Sequence, residues 1–193
     1  MGRKPTSHKL VKECIYTALM LLMEKQDYEK ITITDITRRA GVSRMAYYRV
    51  YQSKDDIIKT HMADVFDQII DQAKKQEFST EEEFFICFFS TVQQNTPLFI
   101  NALKANLLEF MWRKMKEYGI ALFTAFYQPT ADAVFLNYRV CFFTGGFLHI
   151  TREWLETGMK ESVETMAQIS CCIAEAVKEG HSKVNFVTNY PQM

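Results

Sequence analysis

The stretch ITITDITRRAGVSRMAYYRVYQSKDD, residues 31–56, reads as helix, glycine turn, short helix and the capped start of a further helix. Thr32 followed by Asp35 resembles a capping box ahead of a helix over Ile33–Ala40. Gly41 stands where the turn needs a positive φ, a conformation only glycine adopts cheaply. Val42 fills the wedge, Ser43 caps a short helix over Arg44–Val50, and Ser53 with Asp56 caps the next, which the pattern extends to about Gln76. Two helices joined by so short a glycine-containing turn can set the second one in the DNA major groove.

Outward from this block the chain predicts helices throughout. Upstream, Leu10, Cys14, Ala18 and Leu21/Leu22 recur at helical spacing over about Ser7–Lys25. Downstream, Ser79 or Thr80 before Glu81, Glu82 and Glu83 makes an acidic first turn, favoured by the helix dipole. Thr96-Pro97 restarts a helix with Pro at its first position. Apolar-periodic stretches follow from about Ala105 to Gln128-Pro129 and from Ala131 to Thr157, the second closed by Gly158. A last helix spans Ser162 to Glu179, closed by Gly180, and the tail from His181 is expected to be loosely held. No period-2 strand, internal repeat or low-complexity tract interrupts the pattern. The expected fold is all-α, with an N-terminal three-helix helix-turn-helix domain over residues 1–55 and a larger helical regulatory and dimerisation domain over residues 56–193.

Composition supports that division. The 193 residues carry no net charge, yet residues 1–61 hold 12 Lys and Arg against 7 Asp and Glu, and the remainder 11 against 16. All 15 Phe fall in the second part. A basic head on an acidic, Phe-rich body predicts a polyanion-binding module on a large apolar core. No apolar run reaches the roughly 18 residues of a membrane span, and the start is no signal peptide. Membrane partners are therefore not expected. The five cysteines, Cys14, Cys87, Cys141, Cys171 and Cys172, form no disulfide framework, and a cytoplasmic protein with reduced thiols is the expectation.

Residues 31–57 resemble the DNA-binding segment of the tetracycline-repressor (TetR/AcrR) family of bacterial transcription regulators. The A-G-V-S turn, the Y-Y-R and the S-K-D-D arrive in that family's order and spacing, a likeness covering roughly residues 8–60. The run GFLHITREWLETGMKES, residues 146–162, is also similar to the end of a Firmicutes-type TetR C-terminal domain.

The resemblance and the residue chemistry together assign a DNA-reading set. Arg44 suits a guanine edge as a bidentate donor. Arg49 is placed for phosphate or base, and Met45 for a thymine methyl group. Tyr48 matches the family tyrosine that contacts phosphate, and Lys54 its phosphate-clamping lysine. Thr32 and Thr34 sit where the family donates to phosphate at a helix start. Arg3 and Lys4 can form a basic arm. Tyr47 and Tyr51 are expected in the core, and Arg38 and Arg39 are balanced between phosphate contact and plain solvation. Ala46 replaces the family's usual hydroxyl residue, and Val50 stands where many members carry His.

For the body, the resemblance implies a homodimer through the last two helices and a pocket for a small-molecule effector. Tyr138, Cys141, Gly145, Leu148, Arg152, Met166, Ile169, Ser170 and Ile173 are the expected dimer face. Phe88, Leu103, Leu107, Phe110, Met111, Phe126 and Phe143 are the expected pocket lining, although aromatics at helical spacing usually just fill a core. The expected function is a sequence-specific repressor released from operator DNA by its effector. Alternatives are a metal- or redox-responsive regulator, with Cys171-Cys172, His149, Cys141 and Cys87 the relevant residues, or a non-specific architectural DNA binder. Metal-ligand spacing, phosphate-binding glycine loops and catalytic motifs are not found, so neither an enzyme nor a resident cofactor or metal is expected.

Overall fold

The computed structural model describes residues 8–75, 78–126 and 133–178. Among these it is wholly helical: α1 (His8–Met23), a 3-10 turn (Tyr28–Lys30), α2 (Ile33–Ala40), α3 (Arg44–Tyr48), α4 (Lys54–Lys74), α5 (Glu81–Gln94), α6 (Thr96–Lys104), α7 (Leu108–Phe126), α8 (Ala133–Glu156) and α9 (Val163–Lys178). No described helix is long and apolar enough to cross a membrane.

The ends of these helices follow local chemistry. At α2, the Asp35 amide donates to Thr32 Oγ1 (3.2 Å) and the Thr32 amide to Asp35 Oδ2 (3.2 Å), a complete capping box. Gly41 stops the helix at φ +66°. At α4, the Asp56 amide donates to Ser53 Oγ, and Asp56 Oδ2 takes the amides of Gln52 and Ser53. Thr80 accepts from the Glu83 amide at the head of α5. Asn106 at φ +56° breaks the chain between α6 and α7, since a short polar side chain tolerates that conformation. The closure expected at Gly180 and the tail from His181 lie outside the described residues, whereas Gly158 ends α8 at φ +84°.

Two local expectations need correction. The buried residues of α1 are Val11, Ile15, Ala18, Leu19 and Met23, so of the predicted stripe Ala18 is buried while the rest of the buried face lies one position on and Leu10 is exposed. Both stripes have helical spacing, and the face carrying the larger apolar side chains turned inward. The expected helix over Arg44–Val50 ends at Tyr48: the Arg49 amide still bonds the Met45 carbonyl as in a helix, but the Val50 amide closes a tighter turn onto the Tyr47 carbonyl.

The head packs α1 against α2, α3 and α4, and α4 continues into the body against α5, α6 and α7. In the body α5 lies along α9 and α7 along α8. One apolar cluster runs from Val11 to Ala174 without a gap between head and body, so α4 is shared by both. The Trp154 indole, almost fully buried, donates to the Glu161 carbonyl at 3.0 Å and ties the end of α8 to the lead into α9.

Candidate nucleic-acid interface and regulatory body

The helix α3 is short, and its two faces are sharply different. Tyr47 is fully buried, meeting the rings of Tyr48 and Tyr51 at 5.3 and 6.1 Å between centroids. Burial raises the Tyr47 and Tyr51 hydroxyl pKa values above the ordinary tyrosine range, so both stay neutral. Arg44, Met45, Tyr48 and Arg49 are all exposed, with Met45 at 72%. Positions i, i+1, i+4 and i+5 share one side of a helix, so these four form a single outward surface. An exposed methionine and a half-exposed tyrosine, which meets the Tyr47 ring edge on, stand among arginines, and their chemistry suits base edges and phosphates.

The start of α2 flanks this surface. Thr32 and Thr34 are exposed there, and the amides of Ile33 and Thr34 have no partner among the described residues. Asp35 is held below the usual carboxylate range by its bonds from the Thr32 side chain and backbone, and it remains the capping anion. Arg38 and Arg39 are exposed on the same helix, Arg38 lying 3.6 Å from Asp35. Arg3 and Lys4 lie outside the described residues.

Lys54 is placed differently from its expected neighbours. Its ammonium turns inward, onto the carbonyls of Tyr28 (2.7 Å), Ile31 (3.2 Å) and Glu29 (3.4 Å), and sits 4.2 Å from the Tyr28 ring centroid.

In the body, a small cavity lies between α4, α5, α7 and α8. Its volume is about 50 Å³, and its walls include Phe66, Phe85, Phe88, Met115, Phe143 and Phe147. Of the expected lining residues, Phe88 and Phe143 border it. Leu107 and Met111 are buried in the core, Leu103 and Phe110 pack against that core, and none of the four borders the cavity. The Phe126 side chain lies outside the described residues. Polar groups at the wall are few: Glu81, Tyr118 and Thr144, with the Tyr118 hydroxyl donating to Asp67.

The outer side of α8 and α9 carries an apolar patch. Val134, Tyr138 and Phe142 follow one another at four-residue spacing and are 66%, 69% and 72% exposed, and Ile169 and Ile173 are exposed on α9. A groove of about 330 Å³ runs along it, between Phe142, Gly146, Ile150, Ser170 and Ile173. Of the expected dimer face, Tyr138, Ile169 and Ile173 are exposed, Cys141, Gly145 and Arg152 half-buried, and Leu148, Met166 and Ser170 turned inward. Arg152 pairs with Glu156 at 2.8 Å. The sequence reading missed Val134, Phe142 and Gly146, because α8 is apolar nearly all round and periodicity alone does not say which side the body covers. Cys171 is half-buried and Cys172 exposed, and no group of three or more His, Cys, Asp or Glu among the described residues is placed to hold a metal.

The comparisons agree with this geometry. Residues 15–60 match the family model described as bacterial regulatory proteins, tetR family, and residues 79–175 that of the transcriptional regulator C-terminal region. An uncharacterized HTH-type transcriptional regulator of Bacillus subtilis (strain 168), YxbF, is 33% identical over 85 residues, or 42% of this chain. That match spans only 22% of YxbF's own length. Two solved structures share the fold. Lin0861 from Listeria innocua has a TM-score of 0.70 at 19% identity, covering 92% of this chain and 94% of that one. A TetR transcriptional regulator from Streptococcus agalactiae 2603V has a TM-score of 0.65 at 22% identity, covering 86% and 94%. Head and body together match the two parts of a bacterial transcriptional regulator. The chain belongs to the TetR family.

Proposed function

We propose that this regulator is a homodimeric, sequence-specific repressor whose residues 1–55 read operator DNA and whose residues 56–193 answer to a small-molecule effector. The observation that carries the reading is the split α3, with Tyr47 anchored in the core and Arg44, Met45, Tyr48 and Arg49 exposed together. One so short a helix makes few base contacts, so two copies on half-sites about one helical turn apart are needed. The exposed Val134, Tyr138, Phe142, Ile169 and Ile173 support the pairing, since large apolar patches on a soluble surface mark interaction sites. Two copies of α8 and α9 packed together would cover them.

The cavity beside Phe88 and Phe143 supports an apolar effector. At about 50 Å³ it is far below the ~300–1,000 Å³ of a usual ligand pocket, so an effector must widen it. Widening acts on α4, which forms one wall and also reaches the head. An effector with higher affinity for the widened state shifts the dimer away from its DNA-competent spacing, and only that differential affinity drives the change.

Selection of bound fragments from a random duplex pool tests the reading. Paired inverted half-sites about one turn apart are expected. A lone half-site would count against the dimer, and recovery of random sequence against specific reading.

A further inference from the structure

We propose that Lys54 is a positioning residue for DNA reading and not a phosphate contact. This rests on the proposal that α3 reads sequence. The two residues that open α4 clasp the turn that leads into α2. The Lys54 ammonium donates to the carbonyls of Tyr28, Glu29 and Ile31, and faces the Tyr28 ring at 4.2 Å. The Tyr28 hydroxyl donates to Asp55 Oδ1 at 2.5 Å. An ammonium has three N–H donors, and here the three carbonyls take them while the ring face lies alongside. None is left for a phosphate oxygen.

The place of the clasp gives it its consequence. Ile31 precedes Thr32, the N-cap of α2, so the held turn sets where α2 begins. The helix α2 carries α3 through the short turn at Gly41–Ser43, while α4 packs against the body helices α6 and α7. Lys54 and Tyr28 therefore fix the outward face of α3 relative to the helix that enters the body. A reading head displaced at this joint loses base contacts while its own phosphate-facing charges stay in place.

The test compares the full-length wild type with Lys54→Arg, Lys54→Met and Tyr28→Phe. Two probes serve: a duplex selected by the wild type from a random pool, and a random-sequence duplex of equal length, each titrated across a salt series. Arginine is at least as good a phosphate ligand as lysine, but its planar fork does not fit a compact cage of three carbonyls. Lys54→Arg is expected to lose about tenfold on the selected duplex, the scale of one base contact, and nothing on the random one. Tyr28→Phe changes no charge and is expected to lose selectivity in the same direction. The salt slope of Lys54→Met should stay at the wild-type value. Full affinity in Lys54→Arg, with a Lys54→Met slope reduced by about 0.9 for each lost contact, would overturn the proposal in favour of phosphate clamping. Circular dichroism separates misfolding from misplacement, and if the lysine variants do not fold, full selectivity in Tyr28→Phe would overturn it alone. A wild type that selects no duplex would overturn the reading of α3 itself, an outcome distinct from either of these.

Discussion

A Cβ added at Gly119 would lie 2.7 Å from Thr144 Cγ2, so α7 and α8 meet there with the backbone of one against a side chain of the other. Thr144 cannot turn aside easily, because it is buried and its hydroxyl donates to the Val140 carbonyl at 2.7 Å. Gly119→Ala is therefore expected to destabilise the fold by about 1–3 kcal/mol despite alanine's better helix propensity. Thr144→Ser, which keeps the hydroxyl and removes the methyl group, should recover part of that loss. Urea denaturation of both single variants and the double variant measures the coupling, and strict additivity would contradict the contact.

The Tyr47 hydroxyl is buried and has no hydrogen-bond partner among the described residues. Removing a polar group whose desolvation is uncompensated costs nothing and can help. Tyr47→Phe keeps the ring contacts with Tyr48 and Tyr51, and is expected to leave stability unchanged or raise it by up to about 1 kcal/mol. A loss of the same size in thermal denaturation would show that the hydroxyl is satisfied.

His61 stacks on Tyr16 with ring centroids 3.8 Å apart and lies 3.3 Å from the Tyr51 hydroxyl. Burial lowers its pKa, and Lys12 adds to this, while Glu13 and Asp64 oppose it. The folded protein then refuses a proton that the unfolded chain accepts below about pH 6.5, so stability falls as pH drops through that value toward the folded pKa. Urea midpoints at about pH 7.5 and about pH 5.5 should differ more for the wild type than for His61→Phe. Equal differences would refute the assignment.

Much of this was legible in the sequence. The bounds of α2, the caps at Thr32, Ser43 and Ser53, and the turn at Gly41 follow from side chains that bond their own backbone within three residues, so local sequence determines them. The break at Asn106 and the turn at Tyr28–Lys30 were less visible, since each depends on packing between helices. The same holds for the site. Tyr47 inside and Tyr48 outside follow from the match to the family's segment, but the inward turn of Lys54 depends on where residues 28–31 fold back, some two dozen positions away. Which side of α8 stays open was hidden by its nearly uniform apolar composition.

Phe142 provides the test of that open side. It is 72% exposed, so Phe142→Glu should hardly affect the stability of a single chain. In a dimer built on α8 and α9 it would bury a charge at the interface and shift the protein to monomer in sedimentation equilibrium. Leu148→Ala, at a position already buried within the chain, should lower stability by about 2–5 kcal/mol instead. Unchanged self-association of Phe142→Glu would move the interface elsewhere.

The central claim is that the outward face of α3 distinguishes one DNA sequence from another, and the ratio of affinities for a selected duplex and a random one, at a single fixed salt concentration, measures it most directly. The wild type is expected to prefer the selected duplex by about a thousandfold or more, and Arg44→Ala to lose about 1–3 kcal/mol of that preference while still binding random DNA. A wild-type ratio near one, or an Arg44→Ala variant with undiminished preference, would contradict it.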